Sequence, residues 1–184
     1  AWGELTVARS TLTMSNSIAV TSGEVTLTDV DVVFGAAKKI YSRDQRGGPS
    51  TLAMNGVSFK VFPTSTTEPF GGFTSATVGA KGLSVESAKD ITISQPLTAK
   101  AGTAPTLTLA GAGTKTLSSD FTLAKVDVLE GGVAFGGTCE AEVVSTNGAT
   151  VSFGGHATAE KPLAALSLGS ETATGYLKVS PGDG

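Results

Sequence analysis

Asp29 and Asp31 stand two positions apart in the stretch Leu27-Thr28-Asp29-Val30-Asp31-Val32. Residues two apart on a strand share a face, so both carboxylates point one way and Val30 and Val32 the other. Paired carboxylates can hold calcium or divide acid and base roles between them. The plainer reading is a solvent-facing strand, where aspartate also discourages edge pairing, and the sequence favours it. Asp127, in Val126-Asp127-Val128, has the same setting and stands alone.

The remaining reactive groups are single. His156 is the one histidine and Cys139 the one cysteine. A histidine without cysteines or carboxylates gathered round it makes no zinc site. A single cysteine closes no intramolecular disulfide. Glu140 and Glu142 beside Cys139 work against a thiolate, so it reads as a small strand residue. No metalloprotease, nucleophile-elbow or phosphate-loop pattern occurs. Gly111-Ala112-Gly113 lacks the third glycine of a dinucleotide loop and reads as a turn. The expectation is a chain with no catalytic residues, no cofactor and no dedicated metal site.

Binding chemistry is concentrated elsewhere. "GAAKKIYSRDQRGGPS" gathers Lys38, Lys39, Tyr41, Arg43 and Arg46, and "FPTSTTEPFGGF" follows with two prolines and three phenylalanines. Both read as loops inserted at about 35–81 into a repetitive scaffold, and loops on rigid β scaffolds are where binding usually sits. A solvated excursion without ligand is the blander alternative. For carbohydrate contact the chain offers Trp2, Tyr41 and Tyr176.

The elements that must position these groups are strands. Gly contributes 24 of 184 residues, far above the usual share of about 7%, and charged residues only 16% against about 25%. Thr and Val favour strands, and Gly and Ser favour turns. The net charge of −3 and the lack of a basic stripe argue against nucleic-acid binding. No apolar run approaches the length of a membrane span. The opening Ala1-Trp2-Gly3 shows no signal-peptide pattern, and a small first residue is compatible with a mature N-terminus after signal cleavage.

Apolar and polar residues alternate in many short runs, such as Leu5-Thr6-Val7, Val25-Thr26-Leu27, Leu107-Thr108-Leu109 and Leu177-Lys178-Val179. No helical spacing persists beyond about two turns. A sandwich, a barrel or a solenoid would suit such strands. Val133-Ala134-Phe135-Gly136-Gly137 and Val151-Ser152-Phe153-Gly154-Gly155 repeat one unit at the interval of a small solenoid coil. Phe34-Gly35 is a looser instance. Stacked coils place like on like at about 4.8 Å. Against this, Asn55-Gly56 and Asn147-Gly148 sit between alternating runs, the strongest short hairpin signal. A hairpin at Asn55-Gly56 would pair Met54 with Val57 and Leu52 with Phe59. The reading is one all-β domain over 1–184, a right-handed parallel β-helix, with an antiparallel β-sandwich as the alternative.

From Thr106 onward, "TLTLAGAGTKTLSSDFTLAKVDVLEGGVAFGGT" resembles the autotransporter-associated β-strand repeats, and "NGATVSFGGHATAEKPLAALSLGSETATGYLKV" reads similarly. "GELTVARSTLTMSNSIAVTSGEVTLTDVDVVFG" is a looser match. The resemblance implies a right-handed β-helix outside a bacterial cell, serving as stalk, adhesin or surface-layer part, with no catalytic residues in the repeat. The expected function is therefore a non-enzymatic extracellular structural or adhesive protein. A self-assembling filament subunit is the alternative, joined through Leu5, Val7, Leu12 and Met14 of the first strand. A polysaccharide-active enzyme on the same scaffold ranks third. Expected partners are a second copy of the chain or a cell-surface glycan.

Overall fold

The computed structural model describes residues 4–35, 38–43, 49–61, 68–146, 149–154, 165–168 and 176–180, with the backbone alone for 153–154 and the last two segments. Eighteen strands and no helix lie in these residues. They are β1 (Leu5–Met14), β2 (Ile18–Val20), β3 (Gly23–Phe34), β4 (Ile40–Ser42), β5 (Ser50–Val61), β6 (Phe70–Gly71), β7 (Ser75–Val78), β8 (Leu83–Ser87) and β9 (Ile91–Ile93). The series continues with β10 (Leu97–Ala99), β11 (Thr106–Ala110), β12 (Thr114–Leu117), β13 (Phe121–Val128), β14 (Gly132–Phe135), β15 (Cys139–Ser145), β16 (Thr150–Gly154), β17 (Ala165–Leu168) and β18 (Tyr176–Ser180).

Every strand pairing among the described residues is parallel, and the strands stack as a β-solenoid. The antiparallel sandwich is thereby excluded. One ladder has the order β1-β3-β5-β7-β10-β13-β11-β8, with β15 and β17 added beyond β13. A second has the order β18-β16-β14-β12-β9, and a third is β2-β4-β6.

Alternation explains the core. Val30, Val57, Leu83, Leu107, Val126 and Val143 follow one another in register, and all are buried. Burying each such side chain contributes about 1.5–3 kcal/mol, and no coil alone could enclose the column. Outward positions stack too. Thr6, Thr26, Ala53, Thr77, Thr98 and Thr122 form a mostly threonine ladder up one face.

Asn55-Gly56 makes no hairpin. β5 runs straight through it, and Met54 and Val57 pair with residues of other coils. Gly56 has φ +68° and stacks at a bend with Asp29 (φ +54°) and Arg9 (φ +50°). At each bend the inward parity shifts, so in β3 Val25 and Leu27 are buried, then Val30, Val32 and Phe34. The left-handed conformation that suits a tight hairpin suits this bend equally, which is why the dipeptide misleads. Asn147-Gly148 lies outside the described residues, but its flanking strands β15 and β16 belong to different ladders. The stretch 35–81 is not simply inserted loop. It contains β4, β6, β7 and the 12-residue β5 at the centre of the longest ladder.

Candidate functional site

Ile40 is fully buried, so its strand neighbours at odd positions face outward. Lys39, Tyr41 and Arg43 therefore stand in a row on the outer surface of β4. The Lys39 ammonium lies 5.1 Å from the Tyr41 ring centroid and the Arg43 guanidinium 5.9 Å from it. Both are within cation–π range. Tyr41 pairs in register with Ala19 on one side and Gly71 on the other, so neither ladder neighbour covers the ring with a large side chain.

Glu68 braces one end of the row. Its carboxylate lies 3.6 Å from the Lys39 ammonium and accepts a short hydrogen bond from the Ser94 hydroxyl. A Cβ on Gly71 would come within 3.0 Å of Glu68 Oε1, so the glycine makes room for the acid. The Lys39 backbone N–H donates to Ser17 Oγ at 3.2 Å. Among the described residues no carboxylate pairs with Arg43. Lys38, next along the chain, is half-buried. Arg46 lies outside the described residues.

The structure does not bring the two carboxylates together. Asp29 sits in the left-handed bend and its carboxylate receives the Lys81 ammonium at 2.8 and 2.7 Å. The Lys81 stem crosses Gly56 on the way, where an added Cβ would meet Asp29 Oδ1 at 2.7 Å. Asp31 is exposed and stacks between Thr11 and Ser58. No cluster of three or more His, Cys, Asp or Glu occurs among the described residues. His156 lies outside them.

The Phe-Gly-Gly units occupy the second ladder. Phe135 is buried and pairs in register with Phe153. A Cβ on Gly137 would collide with the Ser119 backbone, whereas Gly136 meets Ser118 only at 3.4 Å. Gly154 closes β16, and Gly155 lies outside the described residues. Phe34 belongs to the other ladder, stacked on Phe59 at 6.0 Å, and is not a third copy of the unit. In β1, Leu5, Val7 and Leu12 are half-buried against the core and Met14 is buried; the pairing of this strand is with β3.

Sequence reasoning passed over Lys115. It is fully buried in the register position between Ile91 and Val133. Its ammonium donates to the carbonyls of Gly111 and Gly113, the latter at 2.7 Å. Burial pushes its pKa down from 10.5 to about 8, against the opposing pull of Glu130, Asp90 and Glu86. The signal was available, because Lys115 shares parity with the inward Leu117. Cys139 is buried in register with Phe121, and desolvation pushes its thiol up to about 12, against a smaller opposing backbone hydrogen bond at Ala141. A thiol so held is a core residue, not a nucleophile.

A groove of about 280 Å³ runs beside the Gly79–Gly82 corner, lined by Thr26, Thr28, Asn55, Thr77, Lys100 and Thr103 among others. It holds hydroxyls, one amide and one cation, but no aromatic platform. A scan against protein-family models finds no match for the chain, and searches of curated proteins and of solved structures also find none.

Proposed function

We propose that the chain is a non-enzymatic structural and adhesive element of a bacterial cell surface. The observation that carries this reading is the continuous parallel stack, in which each coil is sealed by its neighbours and presents outer residues at fixed intervals. A scaffold of this kind displays groups along its length. The resemblance to autotransporter-associated repeats supplies the surface location. The low charge, the Thr- and Ser-rich outer faces and the buried thiol are compatible with it.

Immunogold labelling of intact cells of the source organism tests the location. Label on unpermeabilised cells supports the proposal, and label seen only after permeabilisation overturns it. Incubation of the purified protein with acidic and neutral polysaccharides tests the chemistry. New reducing ends or unsaturated uronates would make the chain an enzyme and remove the adhesive reading.

A further inference from the structure

We propose that Lys39, Tyr41 and Arg43 bind an acidic polysaccharide. The proposal rests on the surface reading above and names the ligand class for it. Two cations lie on one outer face of a short strand, and like charges on one face of a sheet repel. The Tyr41 ring between them offers each a cation–π contact. Glu68 is the one carboxylate paired with the row among the described residues, and its 3.6 Å separation from Lys39 is longer than a hydrogen bond. The Lys39 ammonium therefore keeps donors free, and its side chain is 42% exposed. Arg43 is exposed, and its guanidinium carries a planar fork of donors.

The charged ends of Lys39 and Arg43 lie 5.1 and 5.9 Å from the Tyr41 ring centroid, so both gather about one ring. A polymer with recurring acid groups and sugar faces can meet both cations and the ring together. Ala19 leaves an approach on one side of the ring, whereas the Glu68 carboxylate occupies the space over Gly71 on the other, so a chain of sugars would meet the row from the Ala19 side. The phenol hydroxyl adds a neutral hydrogen-bonding group between the cations, which suits alternating hydroxyl and acid groups.

The test is binding of the full chain to three immobilised polymers: polygalacturonate, dextran sulfate and neutral dextran. Binding to either anionic polymer, weakened by salt and absent on neutral dextran, is the expected result. Polygalacturonate alone would identify a uronate as the ligand, and dextran sulfate alone a sulfate ester. Arg43→Ala, at an exposed position, is expected to weaken binding by at least about tenfold. Lys100→Ala removes the same charge from another face and is expected to change it less than about twofold. Tyr41→Phe keeps the ring and retains most of the affinity, and thermal melts confirm that each variant folds. Lack of binding to both anionic polymers overturns the proposal, as does equal loss in Arg43→Ala and Lys100→Ala. If the protein labels intact cells yet binds neither polymer, the site falls and the surface reading stands.

Discussion

The two halves of the solenoid solve the same stacking problem with different coils. Around β12–β16 the coils are short, and contacts between neighbouring coils link residues 18 apart, as in Thr122 with Glu140, Thr138 with Asp120 and Thr146 with Val128. In the region of β2–β9 the same kind of contact links residues 22 to 26 apart. Longer coils enclose a wider core. Phe34, Phe59 and Phe70 fill it: Phe59 lies 6.0 Å from Phe34 of the same ladder and 4.9 Å from Phe70 of the third ladder, across the core. Short coils hold mainly Leu, Val and Ile beside Phe121 and Phe135, and one of their inward positions is Lys115. Longer coils also leave residues over for outward display, and the Lys39–Tyr41–Arg43 row lies there. On the proposed function, the short coils serve as spacer and the long coils as the working surface.

The largest effect should come from emptying the wide core. Phe59→Ala removes a fully buried ring from between two others and is expected to cost about 3–5 kcal/mol by denaturant unfolding. A loss below about 1 kcal/mol would mean the aromatic stack does not support the long coils.

The next effect probes the narrow core through pH. Lys115 has a folded pKa below its ordinary value, so the folded chain gives up this proton first. The cost of burying the cation is present below about 8 and is relieved as pH rises toward 10.5. Stability should therefore climb across that window, by up to about 3 kcal/mol. Lys115→Met should flatten the climb, and an unchanged slope in the variant would assign the pH dependence to other groups.

Smaller effects test the bends shared by β1, β3 and β5. Gly56→Ala places a Cβ against Asp29 Oδ1 in a left-handed conformation and should destabilise by about 1–2 kcal/mol. Arg9→Gly relaxes the equivalent bend at an exposed position and should stabilise by up to about 1 kcal/mol. Opposite signs at the two stacked positions are the expected result, and loss of stability in both would contradict a cost set by the left-handed conformation.

The contrast between the halves also explains what the sequence disclosed. Phe135 and Phe153 announce a stack because their coil is short and free of insertions. Asn55-Gly56 points to a hairpin because a local signal reports a left-handed residue, not the direction of the chain after it. Alternation around Ile40 is enough to group Lys39, Tyr41 and Arg43. That Ala19 and Gly71 are the ladder neighbours of Tyr41 is not readable, because coil length varies and register depends on it. Lys115 escapes notice because a lysine between threonines looks solvated, and only its parity with Leu117 turns it inward. Asp29 and Asp31 lose their shared face to the bend between them.

The division into spacer and working surface is tested most directly by amide hydrogen exchange of the full chain, with and without saturating acidic polymer. The account predicts added protection confined to β4 and its ladder neighbours β2 and β6, with β12 and β14 unchanged. Protection centred on β12 and β14, or on the groove lined by Lys100 and Thr103, would contradict it.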